Sequence, residues 1–175
     1  MNQSDLRLEL LSEAHLGDFE AIVDDPEIAR FTRFPSPTPV NFVVDWYARY
    51  LAGRADGTRE AFAAMTGDRQ FVGLALAPQI DQEGRELELG YLVAPAARGR
   101  GVATEMLRQL TSWAFDAAGA LRASLIIDVD NLASRRVAER AGYLREGTLR
   151  STYFKQGLRS DVEIWGRLPS DPPPP

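Results

Sequence analysis

The chain contains no cysteine, one histidine and one lysine, and it has no apolar run long enough to span a bilayer. Each absence removes a class of function. Without cysteine there are no disulfides, no thiolate metal sites and no cysteine nucleophile, a composition that fits a cytoplasmic protein. His15 alone cannot make a histidine-rich cluster, so no metal is expected. The leading Met1 to Arg7 shows no basic-then-apolar signal pattern, and no membrane partner is expected. Lys155 is the only lysine and lies in no Gly-x-x-x-x-Gly-Lys-Ser/Thr spacing, which excludes a P-loop. The net charge of −5 disfavours direct nucleic-acid binding and favours a cationic partner. What remains is a chain of 175 residues, 45% apolar and 26% charged, with the size and balance of one soluble domain.

The most informative stretch runs from Glu88 to Glu105. Leu87, Leu89, Tyr91 and Val93 alternate with Glu86, Glu88 and Gly90 as in a strand, which Pro95 closes because it lacks a backbone donor. Val102, Met106, Leu107, Leu110, Trp113, Ala114 and Ala117 then recur at helical spacing. Between them lies Arg98-Gly99-Arg100-Gly101-Val102-Ala103. Its glycines let backbone approach a ligand, the first helical amides are unpaired donors, and Arg98 and Arg100 add full charges. Such a turn suits a phosphate-bearing ligand, although glycine-rich strand-to-helix turns also occur without one. As a dinucleotide fingerprint it is incomplete, since Thr104 stands where a third glycine belongs and Asp116 falls inside the helix.

Around this stretch the chain reads as a strand over residues 6–10 and a helix capped by Ser12, carrying Leu16, Phe19, Ile22 and Val23, with His15 in its first turn. A short helix follows from Pro26 through Arg33, then a loop at Pro35, Pro37 and Pro39. A helix from Val40 places Val43, Val44, Tyr47 and Leu51 in one stripe, with Trp46 and Tyr50 beside it as core or groove lining. Glu60 to Met65 and Arg69 to Ala77 form an antiparallel pair, and Asp81 to Gly84 turns into the strand at Glu86. The central helix ends near Gly119, Leu121 to Val129 is an apolar strand, and Asn131 caps a helix ended by Gly142. Tyr143 to Arg150 and Ser160 to Leu168 close the sheet, joined across Phe154 to Gly157. The fold class is α/β in the α+β sense, a mixed and largely antiparallel sheet of about seven strands with about four helices. One domain spans 1–168, and 169–175 is a proline-rich tail expected to be disordered.

Three motifs in order carry a resemblance across nearly the whole chain. They are Glu88-x-Gly-Tyr-x-Val-x-Pro, then Arg98-x-x-Gly101-x-Ala103-Thr-Glu105, then Asn131-x-x-Ser134 through Gly142-Tyr143. This set resembles the GNAT superfamily of acetyl-CoA-dependent N-acetyltransferases, and within it the Rim-type branch that acetylates the N-terminal amine of ribosomal proteins. The closing Gly147-Thr-Leu-Arg and Phe154-x-x-Gly157-x-x-x-Asp161 are similar to that branch as well.

The resemblance implies splayed central strands, acetyl-CoA as co-substrate and a primary amine as acceptor. It implies that amides of Arg98, Gly99, Arg100, Gly101, Val102 and Ala103 hold the coenzyme pyrophosphate. Leu92, Val93 and Ala94 would pair their backbone with the pantetheine arm, at a bulge. Asn131 would hydrogen-bond the pantetheine as well as cap its helix, and Arg136, or Arg135, would meet the 3′-phosphate. Glu88 matches the acidic position at the reaction centre, a base acting through water, with the charged face of an exposed strand as its bland role. Glu86 shares its parity, and Glu105 is expected to pair with Arg108. Ala138 stands where many members carry a tyrosine acid, so Ser134 is the expected donor to the thiolate, ahead of Tyr143. Lacking a cysteine to carry acetyl, the chain would use direct transfer. The acceptor groove would come from Phe31 to Tyr50 and from Tyr153 to Arg159, and a homodimer is compatible with similar proteins.

Other readings remain. The acceptor could be a small-molecule amine such as a polyamine, an aminoglycoside or an amino-acid analogue. Ala138 also fits a coenzyme-binding module without catalysis. A nucleotide-dependent oxidoreductase is disfavoured by the antiparallel strands ahead of the glycine turn.

Overall fold

Seven alternating segments pair into one mixed sheet in the computed structural model, which describes residues 6–174. Met1 to Asp5, read above for targeting signals, lies outside the described residues, as does Pro175. In chain order the elements are β1 (Arg7–Leu10), α1 (Leu16–Glu20), α2 (Pro26–Phe31), α3 (Phe42–Asp56), β2 (Glu60–Met65), β3 (Phe71–Asp81) and β4 (Glu86–Val93). They continue with α4 (Val102–Ser112), β5 (Arg122–Asp128), α5 (Leu132–Arg140), β6 (Leu144–Lys155) and β7 (Leu158–Arg167). The strand order is β1-β2-β3-β4-β5-β7-β6, antiparallel throughout except for β4 beside β5. The expected class therefore forms, with five α-helices among the described residues rather than about four.

Strand parity divides the interior into two cores. Leu87, Leu89, Leu125 and Ile127 bury one face of the sheet against Val102, Met106, Leu107 and Leu110 of α4 and Ala138 of α5. Leu74, Leu76 and Leu92 bury the other face against Val43, Trp46, Tyr47 and Tyr50 of α3 and Phe19 of α1. Each fully buried large side chain is worth about 1.5–3 kcal/mol, so the two faces anchor the central strands from both sides.

Several local expectations shift. Ser12 opens a short 3-10 turn (Glu13–His15), with His15 Nδ1 accepting the Ser12 N–H at 3.2 Å, before a brief α1. That reciprocal bond explains the histidine structurally. α2 stops at Phe31, two residues before Arg33. α3 begins at Phe42 behind Asn41, whose left-handed φ of 67° blocks an earlier start. Its buried face is Val43, Trp46, Tyr47 and Tyr50, whereas Val44 and Leu51 are exposed. The aromatic cluster of Phe19, Phe34 and Trp46 (centroids 5.0 to 6.2 Å apart) sets the rotation that the aliphatic residues alone suggested differently. α4 widens into a π-helical turn at Trp113–Ala117, which leaves Ala117 exposed. β3 runs past Ala77 to Asp81 because Ala77 and Pro78 bulge opposite Leu89, where a residue without an N–H is tolerated. β6 starts at Leu144 and extends to Lys155, leaving a tight turn at Gln156-Gly157. Past β7, Leu168 N–H donates to Asp171 Oδ2 at 2.8 Å and the Arg167 guanidinium donates to the Pro172 carbonyl at 3.2 Å.

The feature that matters most is where pairing stops. β4 and β5 share only Glu86–Arg122, Leu87–Ala123 and Glu88–Ser124. Beyond these, β4 stays with β3 to Val93 while β5 stays with β7 to Asp128, and a gap opens between them. Gly73 holds β3 close to the β4 lip of the gap. A Cβ there would lie 2.0 Å from the Leu92 carbonyl oxygen, a backbone atom that cannot yield without parting β3 from β4. Gly73→Ala is expected to cost about 2–3 kcal/mol in urea denaturation. Gly90→Ala, where nothing lies within 4 Å of the added carbon, should cost under about 0.5 kcal/mol. Equal stability of the two variants would contradict the close approach at Gly73.

Candidate active site

A cavity of about 800 Å³ passes through the gap between β4 and β5. Its first wall is the strand edge. Ala94 N–H donates to Val72 O at 2.9 Å, so alternation turns Leu92 toward β3 as well and points the N–H and C=O of Val93 into the gap. Of the three residues expected to offer backbone there, only Val93 does so with both groups. Leu92 contributes its surface to the lining, and Ala94 is buried with its N–H already used.

The second wall is the glycine turn. Gly99 (φ 73°) and Gly101 (φ 79°) take left-handed conformations that let the chain reverse into α4. Gly101 is the N-cap and has no side chain to offer, while the first bond back to it comes from Glu105 N–H at 3.2 Å. The amides of Val102, Ala103 and Thr104 therefore have no helical carbonyl to bond and sit at the positive end of an 11-residue helix. Gly99, Gly101, Val102, Ala103 and Thr104 all line the cavity. The two arginines behave otherwise than expected. Arg98 lines the cavity, but its guanidinium is held by Asp25 (2.5 Å) and Glu27 (2.8 Å). Arg100 is exposed and not part of the lining. An anion at this turn would therefore meet amides more than free cationic side chains.

α5 supplies the third wall. Asn131 Oδ1 accepts from Ser134 N–H at 3.0 Å as a helix cap, which leaves its amide NH₂ to the cavity. Ser134 and Arg136 line the cavity, with Arg136 exposed at its mouth. Arg135 does not, because it turns inward to Glu163 at 3.1 Å. Glu163 is buried and also accepts from Arg145 (2.8 Å) and from Trp165 Nε1 (3.1 Å).

Chemistry-bearing groups stand on both faces of the gap. Glu88 points to the α3 side, among Trp46, Tyr50 and Pro78, and burial pushes its carboxyl above the usual carboxylate range while the Arg33 charge opposes this. Glu86, of the same parity, is taken by Arg122 at 2.9 Å and lies outside the lining. Glu105 accepts from Gln109 Nε2 at 2.8 Å. On the α4–α5 side stand Ser134 and Tyr91, whose hydroxyl is buried with no hydrogen-bond partner among the described residues. Burial pushes Tyr91 up to about 12, with the neighbouring Ser134 hydroxyl opposing. Tyr91 escaped the sequence reading because alternation with Leu87 and Leu89 marks it as core. Tyr143 is core indeed, 2% exposed, its hydroxyl 2.7 Å from Thr111 Oγ1.

Residues 5–144 match the acetyltransferase (GNAT) domain family. The chain belongs to that family. It is similar to YdaF of Bacillus subtilis, 31% identical over 106 residues that cover 61% of this chain and 58% of that protein. The matched region thus spans little more than half of that curated relative's length. Among solved structures, RimL, described as a ribosomal L7/L12 alpha-N-protein acetyltransferase in complex with coenzyme A, superposes with a TM-score of 0.87 at 18% identity, covering 94% of each chain. Spermidine N-acetyltransferase from Vibrio cholerae, in complex with CoA and spermine, superposes at 0.85 and 21% identity, covering 96% of this chain and 98% of that one. At these identities the likeness is one of fold.

A set of hydrogen bonds ties the β6 end to α2 on the α3 side of the cavity. Lys155, at the β6 end, donates to the Ala29 and Thr32 carbonyls of α2 and its flank, and Gln156 Nε2 donates to Ser36 O at 3.3 Å. This tie brings Tyr153 into the lining opposite Phe31, Arg33 and Phe34. Arg98 joins the same segment to the glycine turn, since Asp25 is also the N-cap of α2, accepting from Glu27 and Ile28 N–H at 3.1 Å. Arg98, chiefly, holds the Asp25 carboxyl below its ordinary value. A depressed carboxylate contributes stability that is present above its unfolded pKa and lost as pH falls through its folded one. Asp25→Asn, which keeps the cap but loses the charge, should therefore cost about 1 kcal/mol at pH 7, and Asp25→Ala about 2 kcal/mol. The gap between wild type and Asp25→Asn should begin to narrow near about pH 4 and close only as pH falls through the lower folded value, in denaturation series run by pH.

Proposed function

We propose that this chain transfers the acetyl group of acetyl-CoA to a primary amine, the N-terminal α-amine of a protein, by direct attack in a ternary complex. The observation that carries the reading is the parted β4–β5 pair, with an open strand edge and helix-start amides on one side and a half-buried carboxylate reaching in from the other. A phosphate-bearing ligand fits the amides of Gly99 to Thr104, an extended amide-containing arm fits the exposed backbone of Val93, and the Asn131 amide lies beside both. Arg136 is the arginine placed to meet a further phosphate. A small-molecule amine is the second reading, supported by the fold shared with the spermidine enzyme.

Acetyl-CoA supplies an activated thioester, and the residues of the chain supply the proton handling. Glu88, raised by burial, accepts a proton from the incoming ammonium, through water, to leave a nucleophilic amine. An α-amine of pKa about 8 asks less of such a base than a lysine side chain of about 10.4. The nitrogen bonds the carbonyl carbon, the Val93 N–H stabilises charge on the carbonyl oxygen, and the carbon–sulfur electron pair leaves with sulfur. As the intermediate collapses the nitrogen sheds its second proton, Ser134 gives the sulfur a proton, and the nitrogen's proton, carried through water or the Tyr91 hydroxyl, restores the serine.

Glu88→Gln should lower kcat about 100-fold or more while acetyl-CoA affinity by calorimetry stays within about twofold. At saturating amine, wild-type kcat should rise with pH through the raised Glu88 pKa, a limb that Glu88→Gln lacks. An unchanged profile would remove Glu88 from the chemistry. Ser134→Ala should lower kcat about tenfold. Full activity there would leave the thiolate to water.

A further inference from the structure

The acceptor end of the cavity is lined by two arginines that the fold does not neutralise. Several arginines of the fold meet acid, among them Arg54 with Glu60 (2.7 Å), Arg98 with Asp25 (2.5 Å), Arg122 with Glu146 (2.5 Å) and Arg145 with Glu163 (2.8 Å). Arg33 and Arg49 line the cavity, and neither enters an ion pair among the described residues. Both stand on the Glu88 side. The Arg33 guanidinium lies 5.7 Å from the Tyr153 ring centroid. Arg49 is one turn past Trp46 and next to Tyr50, which stack at 4.0 Å to wall the same end.

One acid at that end is neutralised, since Glu27 is held by Arg98. Asp128 accepts from Ser160 Oγ (2.5 Å) and Asp130 N–H (2.9 Å), neutral donors that leave its charge in place. Glu88 is the carboxylate on the parted strand that meets an incoming ammonium. An acceptor with several ammonium groups would set its remaining charges against two guanidiniums. An acceptor with one amine and one carboxylate would place each beside its opposite, and guanidinium geometry suits a carboxylate.

We propose that Arg33 and Arg49 select acceptors whose primary amine is followed within a few bonds by a carboxylate. That carboxylate is the α-carboxylate of a free amino acid or the acidic side chain beside a peptide N-terminus. The proposal rests on the acetyl-transfer reading above and reverses, inside the cavity, the preference for cationic partners that a net charge of −5 implies. Local charges prevail because fields from beyond about 8–10 Å are screened at physiological salt.

The test uses the full chain with acetyl-CoA and reads released coenzyme thiol. The acceptors are N-terminal Ser-Asp, Ser-Ala and Ser-Lys peptides, free serine and aspartate, and spermidine. The Ser-Asp peptide or the free amino acids should exceed the Ser-Lys peptide and spermidine by about tenfold in kcat/KM, a ratio that shrinks as salt is raised. Whichever of the two leads identifies the source of the carboxylate. The double variant Arg33→Glu, Arg49→Glu should invert the order while acetyl-CoA affinity holds. Equal rates, or a wild-type preference for the Ser-Lys peptide or spermidine, would overturn the selection and leave acetyl transfer standing. Tight acetyl-CoA binding with no coenzyme released by any amine would overturn the transfer reading beneath it.

Discussion

The cavity and everything that lines it depend on two parallel strands that pair for three residues and then separate. Past Glu88 and Ser124, β4 and β5 give up a ladder that their lengths would allow them to continue. Separation leaves backbone donors and acceptors without partners in the middle of a sheet, which is costly unless a ligand or water takes them. The surrounding structure holds the strands apart. β5 is committed to β7 over six residue pairs, and β4 is committed to β3 by a register that a bulge at Ala77-Pro78 shifts midway. Bulges increase local twist, and Pro95 ends β4 before it can find another partner.

Because the gap passes between the two cores, it gives access to the sheet from both faces. Strand parity then separates the groups that line it. Glu88 reaches the side built from α3 and the β6–β7 hairpin, while Tyr91 and Ser134 lie on the side built from α4 and α5. A carboxylate and two hydroxyls on opposite faces of one opening would, under the proposed transfer, serve two ligands that approach from opposite directions without competing for one proton.

Alternation and helical spacing made β4, the glycine turn and the start of α4 legible, since each depends on neighbours within about ten residues. Features set by distant partners were not. Nothing near Arg98 in sequence announces Asp25 and Glu27, which reach it from the other end of the chain. Arg135 and Arg136 are alike as neighbours, and only the buried Glu163 separates an inward arginine from an outward one. α3 misled for a similar reason: Val44 and Leu51 fit a stripe, but Phe19 and Phe34 draw Trp46 and Tyr50 inward instead. Tyr91 is a subtler case, since a tyrosine at a core position reads as apolar until its buried hydroxyl is found without a hydrogen-bond partner among the described residues, beside Ser134.

Solvent exposure explains how the α3 side of the cavity can carry unpaired charge. A guanidinium left in a fold without an acid is tolerated where solvent reaches it, and both Arg33 and Arg49 are exposed. Their surroundings, however, are anchored. Lys155 fixes the hairpin to the α2 carbonyls, Asp25 fixes the start of α2 to the glycine turn through Arg98, and α3 is set by its aromatic face. The segment bearing Arg33 is thus tied at one end to the glycine turn and at the other to the hairpin. The glycine turn and the Arg33 segment share one guanidinium, that of Arg98, even though the groups lining the cavity are divided between faces.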